Sequence, residues 1–302
     1  MDVQQNDNLN KNIKVEKYGK LVSSAGIAST ITATLLIIIK VIALFITESA
    51  TIMASLTDSI MDISASIINL IALRYAITPA DEDHKYGHWK AEAIAGLAQC
   101  TFICGSAIFL VFHGISRTIN TPTQIPNLDI AIIATIISVV LTALLISYQS
   151  YVVRKTNSLA INADRLHYLS DILFNAIVIL SLGLSSYGIL HADGIFAIVL
   201  GIYIFISSVK IFKNSINVLL DAELSPQDIA NIQKIILSVD GVSGVHDIRT
   251  RSSGPWQFIQ AHIEINQDFS LFKAHQITDW TEDKIKEQYP NADITLHMEP
   301  KE

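Results

Sequence analysis

Two pairs of residues stand out because their types and spacing suit ion chemistry. In SLTDSIMD, Asp58 and Asp62 are four residues apart inside an apolar run from about Thr51 to Tyr75. In NADRLHYLSD, His167 and Asp171 repeat that spacing inside a second apolar run. On a helix, residues i and i+4 share a face, with Cβ atoms about 6 Å apart. Each acid costs roughly 2.5–3.5 kcal/mol at the centre of a bilayer, and intramembrane acids mark ion or proton paths. Two ionised carboxylates so close repel, and either a bound divalent cation or protonation relieves the repulsion. The alternative is a set of protonated or snorkelling acids packed against other helices. Three carboxylates and one imidazole make a four-ligand set that suits tetrahedral zinc. Mixed N/O donors also accept ferrous iron, cadmium, cobalt or manganese.

Two further groupings carry metal-ligand types. PADEDHKYGHWK holds Asp81, His84 and His88, which can bind a metal as a short loop or simply be solvated. Four of the nine histidines, His246, His262, His275 and His297, fall in the last 90 or so residues, with Asp247 and Glu299 beside them. Scattered surface histidines are the plain alternative there. Cys100 and Cys104 also have i, i+4 spacing, but in an apolar segment free cysteines are usually small packing residues, and two cysteines imply no disulfide framework.

The elements that must position these residues are read from hydropathy. The 302-residue chain is 50% hydrophobic and 16% charged, against about 25% charged in soluble domains, so most of it belongs in a membrane. A net charge of −7 gives no footprint for nucleic acid. Crossing the hydrocarbon core takes about 20 apolar residues, and six stretches qualify: 24–47, 52–76, 91–116, 128–151, 160–187 and 192–213. Lys/Arg residues concentrate in the N-terminal tail (Lys11, Lys14, Lys17, Lys20), the 2–3 link (Arg74, Lys85, Lys90), the 4–5 link (Arg154, Lys155, Arg165) and after the last span (Lys210, Lys213). By the positive-inside rule both termini are cytoplasmic. The polar stretch 1–20 carries no signal peptide and reads as a frayed tail.

After Asp221 the pattern turns soluble. Ser225-Pro226 starts a helix with Ile229, Ile232, Ile235 and Ile236 on one face. VSGVHDIRTR and QFIQAHIEI read as strands around the turn SSGPW, 270–289 as a helix and ADITLHME as a last strand. The fold expected is an all-α transmembrane bundle of six helices plus a C-terminal cytoplasmic α+β domain of order αββαβ, its helices on one face of the sheet. The parts are a tail (1–20), the bundle (21–213) and a metal-binding, dimerising domain (214–302).

TDSIMD with LHYLSD resembles the Asp-x3-Asp and His-x3-Asp motifs of the cation diffusion facilitators. RYAITPADEDHKYGHWKAEA, GVSGVHDIRTRSSGPWQFIQAHIEI and ITLHMEP extend the likeness from about Tyr18 to the end, most like the bacterial branch that exports ferrous iron and zinc. The resemblance implies a metallochaperone-like C-terminal domain and a homodimer with three kinds of site. These are a transport site at Asp58, Asp62, His167 and Asp171, a loop site at Asp81, His84 and His88, and a two-metal cytoplasmic site at His246, His262, His275, His297 and Glu299, shared in part across the dimer. It also implies a charge contact between Lys90 and Asp221 that holds the dimer helices. Met298-Glu299 departs from the Gln-Asp of the relatives, which puts the bridging geometry there in question.

The function expected is a proton-coupled antiporter that exports divalent transition metals, zinc first and cadmium or ferrous iron next, from the cytoplasm across a bacterial inner membrane. Zinc would be substrate and regulatory ligand rather than catalytic cofactor; the other partners are protons and the lipid bilayer. Ligands must be deprotonated to bind metal, so protons compete at the same four side chains, with the imidazole of His167 the expected carrier of one proton. Metal at the cytoplasmic site would draw two protomers together and bias the transport equilibrium. A membrane-anchored metal sensor is the competing reading, but it has no need for acids in two spans. A metallohydrolase would need an open coordination position, and no nucleophile–base pair is visible, so no enzymatic activity is expected.

Overall fold

Long stretches of Leu, Ile, Val and Ala without proline leave the backbone no better option in an apolar medium than to satisfy its own hydrogen bonds as helix. In the computed structural model six helices follow from this: α1 (Asp2–Thr47), α2 (Ala50–Ala76), α3 (Lys90–Ile119), α4 (Asp129–Thr156), α5 (Leu159–Ser186) and α6 (Ala192–Leu219). The structure describes residues 2–47, 50–119, 129–186 and 192–301. Within these, side chains are not described at 2–15, 47, 50–52, 54–55, 57–58, 117, 119, 129–135, 178–179, 181–186 and 192–193. The helix ends expected at 128 and 187 lie outside the described residues.

One expectation needs adjustment. The polar start is no frayed tail, because α1 runs unbroken from Asp2. Residues 2–18 contain neither proline nor glycine, so once the apolar part has nucleated a helix, extension adds a hydrogen bond per residue. Among the described residues, five helices are long and apolar enough to cross a membrane, and α5, whose side chains are described only in part, is the sixth helix of the bundle. It has 28 residues, and its first half carries Asp164, Arg165 and Asp171. The packing accounts for this composition. Ala163 and Leu166 of α5 lie in one buried cluster with Cys100, Ile103 and Ala107 of α3 and Leu200, Ile204 and Ile211 of α6. Its other sides meet α2 and α4, and Asp164 reaches Ser29 of α1. A helix enclosed by protein can hold polar groups that one facing lipid cannot.

The chain divides into two units, the helices of 19–216 and a small domain from Asn217 onward, with which residues 1–18 are grouped. The small domain contains α7 (Pro226–Leu237), β1 (Val242–Ser253), β2 (Trp256–Asn266), α8 (Leu271–Gln288) and β3 (Ala292–Lys301). Ser225 caps α7 by accepting from the Asp228 amide, with Pro226 at the first turn. Ser270 caps α8 through the Lys273 amide. β1 and β2 form an antiparallel hairpin closed by Gly254-Pro255, with Gly254 at φ 56° where a side chain would strain. β3 returns parallel to β2 through the α8 crossover. Ile259, Ala261, Ile263 and Ile265 alternate along β2 into a core with Ile232 and Ile236 of α7 and Ile277 and Ile285 of α8. Strand alternation therefore sends Gln260, His262 and Glu264 to the opposite face of the sheet.

Candidate metal centres

The first centre joins α2 to α5. His167 Nε2 lies 3.0 Å from Asp62 Oδ1 and 3.9 Å from Asp171 Oδ2. One ligand atom from each of Asp62, His167 and Asp171 falls within 4.8 Å of the others. The imidazole is 9% exposed, whereas the Asp171 carboxylate is 44% exposed, so the cluster is buried on one side and open on the other. Asp58 lies on α2 one turn before Asp62; its side chain is outside the described set. Zinc bonds of about 2.0–2.2 Å in a tetrahedron place neighbouring ligand atoms about 3.4 Å apart. The distances of 3.0 and 3.9 Å bracket that value for these two ligand pairs.

The residues around this centre include a group that sequence reading passed over. Asp164, one turn before His167, is fully buried. Its Oδ2 accepts from Ser29 Oγ and from Gln149 Nε2, both at 2.7 Å. Its Oδ1 has no hydrogen-bond partner among the described residues. Asp164 is i−3 to His167 in ADRLHYLSD, a spacing that could have drawn attention to it.

The second centre is the link between α2 and α3. Asp81 Oδ1 accepts from the amides of His84 (2.6 Å) and Asp83 (3.0 Å) and lies 3.2 Å from His84 Nδ1. Its other oxygen is 3.3 Å from His88 Nε2. The His84 amide, more than any other contact, holds the Asp81 carboxyl below its usual range. His88 is buried against Tyr75, their ring centroids 4.5 Å apart, and its Nδ1 is 3.4 Å from the Thr78 carbonyl. A carbonyl on one ring nitrogen leaves the other for a metal. Asp81, His84 and His88 thus form a preorganised trio.

The third centre lies on the sheet face away from the core. The register aligns His246 with His262 and His262 with His297, one histidine per strand, and places Glu264 opposite Glu299 in the next row. Glu299 joins the row: Oε1 is 2.8 Å from His262 Nδ1, and Oε2 is 3.1 Å from His246 Nε2. The His262 contact, with the other two histidines nearby, holds the Glu299 carboxyl below its usual range. Its Oε1 lies 3.9 Å from His297 Nε2. Glu299 thus contacts both His246 and His262. His275 is elsewhere in the chain, on α8, 3.1 Å from Asp279. Sequence reading missed Glu264, 3.5 Å from His246, although its i+2 relation to His262 puts it on the same strand face. Asp221, the expected partner of Lys90, has Arg251 Nη1 at 3.3 Å. Cys100 is buried in the α3–α5–α6 cluster, where it packs.

A family model described as the cation efflux transmembrane domain matches residues 26–220, and one described as the cytoplasmic domain of cation efflux proteins matches 224–301. The cation-efflux pump FieF of Escherichia coli O139:H28 (strain E24377A / ETEC) is 44% identical over 285 residues, covering 94% of this chain and 95% of that one. FieF of Escherichia coli strain K12 / DH10B gives the same figures. Among solved structures, the transporter CzrB in its zinc form is 28% identical, with a TM-score of 0.26, over 27% of this chain and 93% of that chain. With both halves matched and 44% identity along nearly the whole length, the chain belongs to the cation-efflux family, the cation diffusion facilitators.

Proposed function

We propose that this cation-efflux protein is a proton-coupled antiporter that moves divalent transition metals out of the cytoplasm, with zinc the first substrate and cadmium and ferrous iron the next. Membership of a transporter family makes it a multi-pass membrane protein and not an enzyme, and sets aside the sensor that lacks transport. The observation that carries the reading is the convergence of Asp62, His167 and Asp171, from helices more than a hundred residues apart in sequence, at metal-ligand distances. Asp58 is the fourth ligand in this reading. All four must be deprotonated to hold metal, so an acidic exterior displaces it and the protonated site returns.

The wider arrangement belongs to the same proposal. The protein works as a homodimer in a bacterial inner membrane, with six spans and both termini cytoplasmic; 1–20, 21–213 and 214–302 are its tail, transport and metal-binding parts. Asp81, His84 and His88 hold a metal in the loop. His246, His262, His275, His297 and Glu299 hold two metals at the cytoplasmic site, partly across the dimer interface, and Lys90 and Asp221 form the charge contact between dimer helices. The name FieF, a cation-efflux pump, supports export. The test is purified protein in liposomes with an imposed pH gradient. An acidic trans side should accelerate zinc flux, and zinc should drive counter-flow of protons. Zinc flux indifferent to the gradient would overturn the coupling.

A further inference from the structure

The polar residues beside the transport site form a network that none of the three metal centres uses: a ring of three hydroxyls, Ser29, Ser66 and Tyr168, from which Asp164 and then Gln149 branch. Ser29 Oγ of α1 donates to Asp164 Oδ2 of α5 at 2.7 Å. The same Oγ lies 3.3 Å from both Ser66 Oγ of α2 and the Tyr168 hydroxyl of α5. Ser66 Oγ and the Tyr168 hydroxyl are 2.9 Å apart. Gln149 Nε2 of α4 adds a bond to Asp164 at 2.7 Å. All five side chains are buried, Asp164 and Gln149 fully.

The placement of the network is what matters. Ser66 is four residues after Asp62 on α2, and Asp164 and Tyr168 are four apart on α5 with His167 between them. The network therefore cross-links the segments that carry Asp62 and His167, about one helical turn from their 3.0 Å contact. A slide or rotation of α5 against α2 would change that contact and break the network together with it. Burial makes such a network stiff, because a buried polar group without a partner is disfavoured.

We propose that Asp164, with Ser29, Ser66, Gln149 and Tyr168, is a positioning network that fixes the distance between the α2 and α5 metal ligands and so tunes the site to the size of its cation. The inference rests on Asp62, His167 and Asp171 being the transport site. A rigid frame favours zinc with its short bonds; a loosened one accommodates the larger cadmium ion. Tyr168→Phe and Ser29→Ala each remove one hydroxyl from the ring and leave every proposed ligand in place. Asp164→Asn keeps an oxygen to accept from Ser29 and Gln149, whereas Asp164→Ala removes it.

The experiment is transport of zinc and cadmium by the full-length protein in liposomes, with KM and kcat measured separately and Asp62→Ala in parallel. Loss of one hydrogen bond corresponds to a change of about three- to tenfold. Tyr168→Phe and Ser29→Ala should raise the zinc KM by about that factor, leave kcat within about twofold, and shift the zinc-to-cadmium preference toward cadmium. Asp164→Asn should retain more zinc affinity than Asp164→Ala; if the alanine variant does not fold, the two hydroxyl variants decide. Unchanged KM and metal preference in folded Tyr168→Phe and Ser29→Ala proteins would overturn the proposal. So would a loss of kcat alone. Normal transport by Asp62→Ala would instead remove the site reading beneath it, so the two failures are distinguishable.

Discussion

Asp62→Asn is the sharpest perturbation of the transport site, because it keeps the side-chain volume and removes only the charge. The Asp62 carboxylate is 3.0 Å from His167 Nε2, with 18% of its side chain exposed. An interaction of this kind with a charged partner is worth about 1.5–3 kcal/mol, or roughly 10- to 150-fold in an equilibrium. In the loaded site zinc takes the place of His167 as that charged partner, so the zinc concentration for half-maximal transport should rise at least about tenfold. Stability should move the other way. A carboxylate in this apolar setting costs about 2.5–3.5 kcal/mol, so the metal-free variant should melt no lower than the parent, and above it if the relief outweighs the lost contact with His167. Liposome flux with a zinc indicator reads the first quantity, and thermal melting in detergent with chelator reads the second. A half-saturation within twofold of the parent would refute the ligand assignment. Lost transport with a lowered metal-free melting temperature would make Asp62 a packing residue rather than a ligand.

Two other predictions concern parts away from that site. Glu299 has its carboxyl held below the ordinary range, chiefly by His262. A group with a depressed folded pKa contributes stability that is present above its unfolded value, about 4.3, and lost as pH falls through the folded value. With chelator present, Glu299→Gln should therefore melt below the parent at pH 7, and the gap should close below about pH 4. A gap that widens on acidification would contradict the assignment. At Gly194 of α6 an added Cβ would meet the side chain of Thr118 and come within 2.6 Å of the Gly114 carbonyl, both on α3, whereas at Gly105 nothing lies within 4 Å. Gly194→Ala should lower stability by about 1–3 kcal/mol through overpacking, seen as a lower melting temperature, while Gly105→Ala, in open space inside α3, should raise it by about 0.5–1 kcal/mol. Equal behaviour of the two would mean that α3 and α6 do not meet so closely.

By itself the sequence determined most of what depends on local spacing. Helix periodicity fixes which residues share a face, so the pairs Asp58/Asp62 and His167/Asp171 were visible as faces before any folding was considered. The Ser-Pro start of α7, the turn at Gly254-Pro255 and the alternation that sends His262 away from the core were equally local. The small domain also followed, because αββαβ spacing leaves few ways to cover one face of a three-stranded sheet.

Tertiary structure decided what depends on distance between elements. Only packing brings His167 to within 3.0 Å of Asp62, and only strand register puts His246, His262 and His297 in one row with Glu299 across it. The network of Asp164, Ser29, Ser66, Gln149 and Tyr168 was invisible because its members come from four helices and share no motif. The composition of α5 is legible only in the same way. The charges of its first half lie where neighbouring helices pack against it, and a stretch in contact with protein can carry polar groups that one facing lipid cannot.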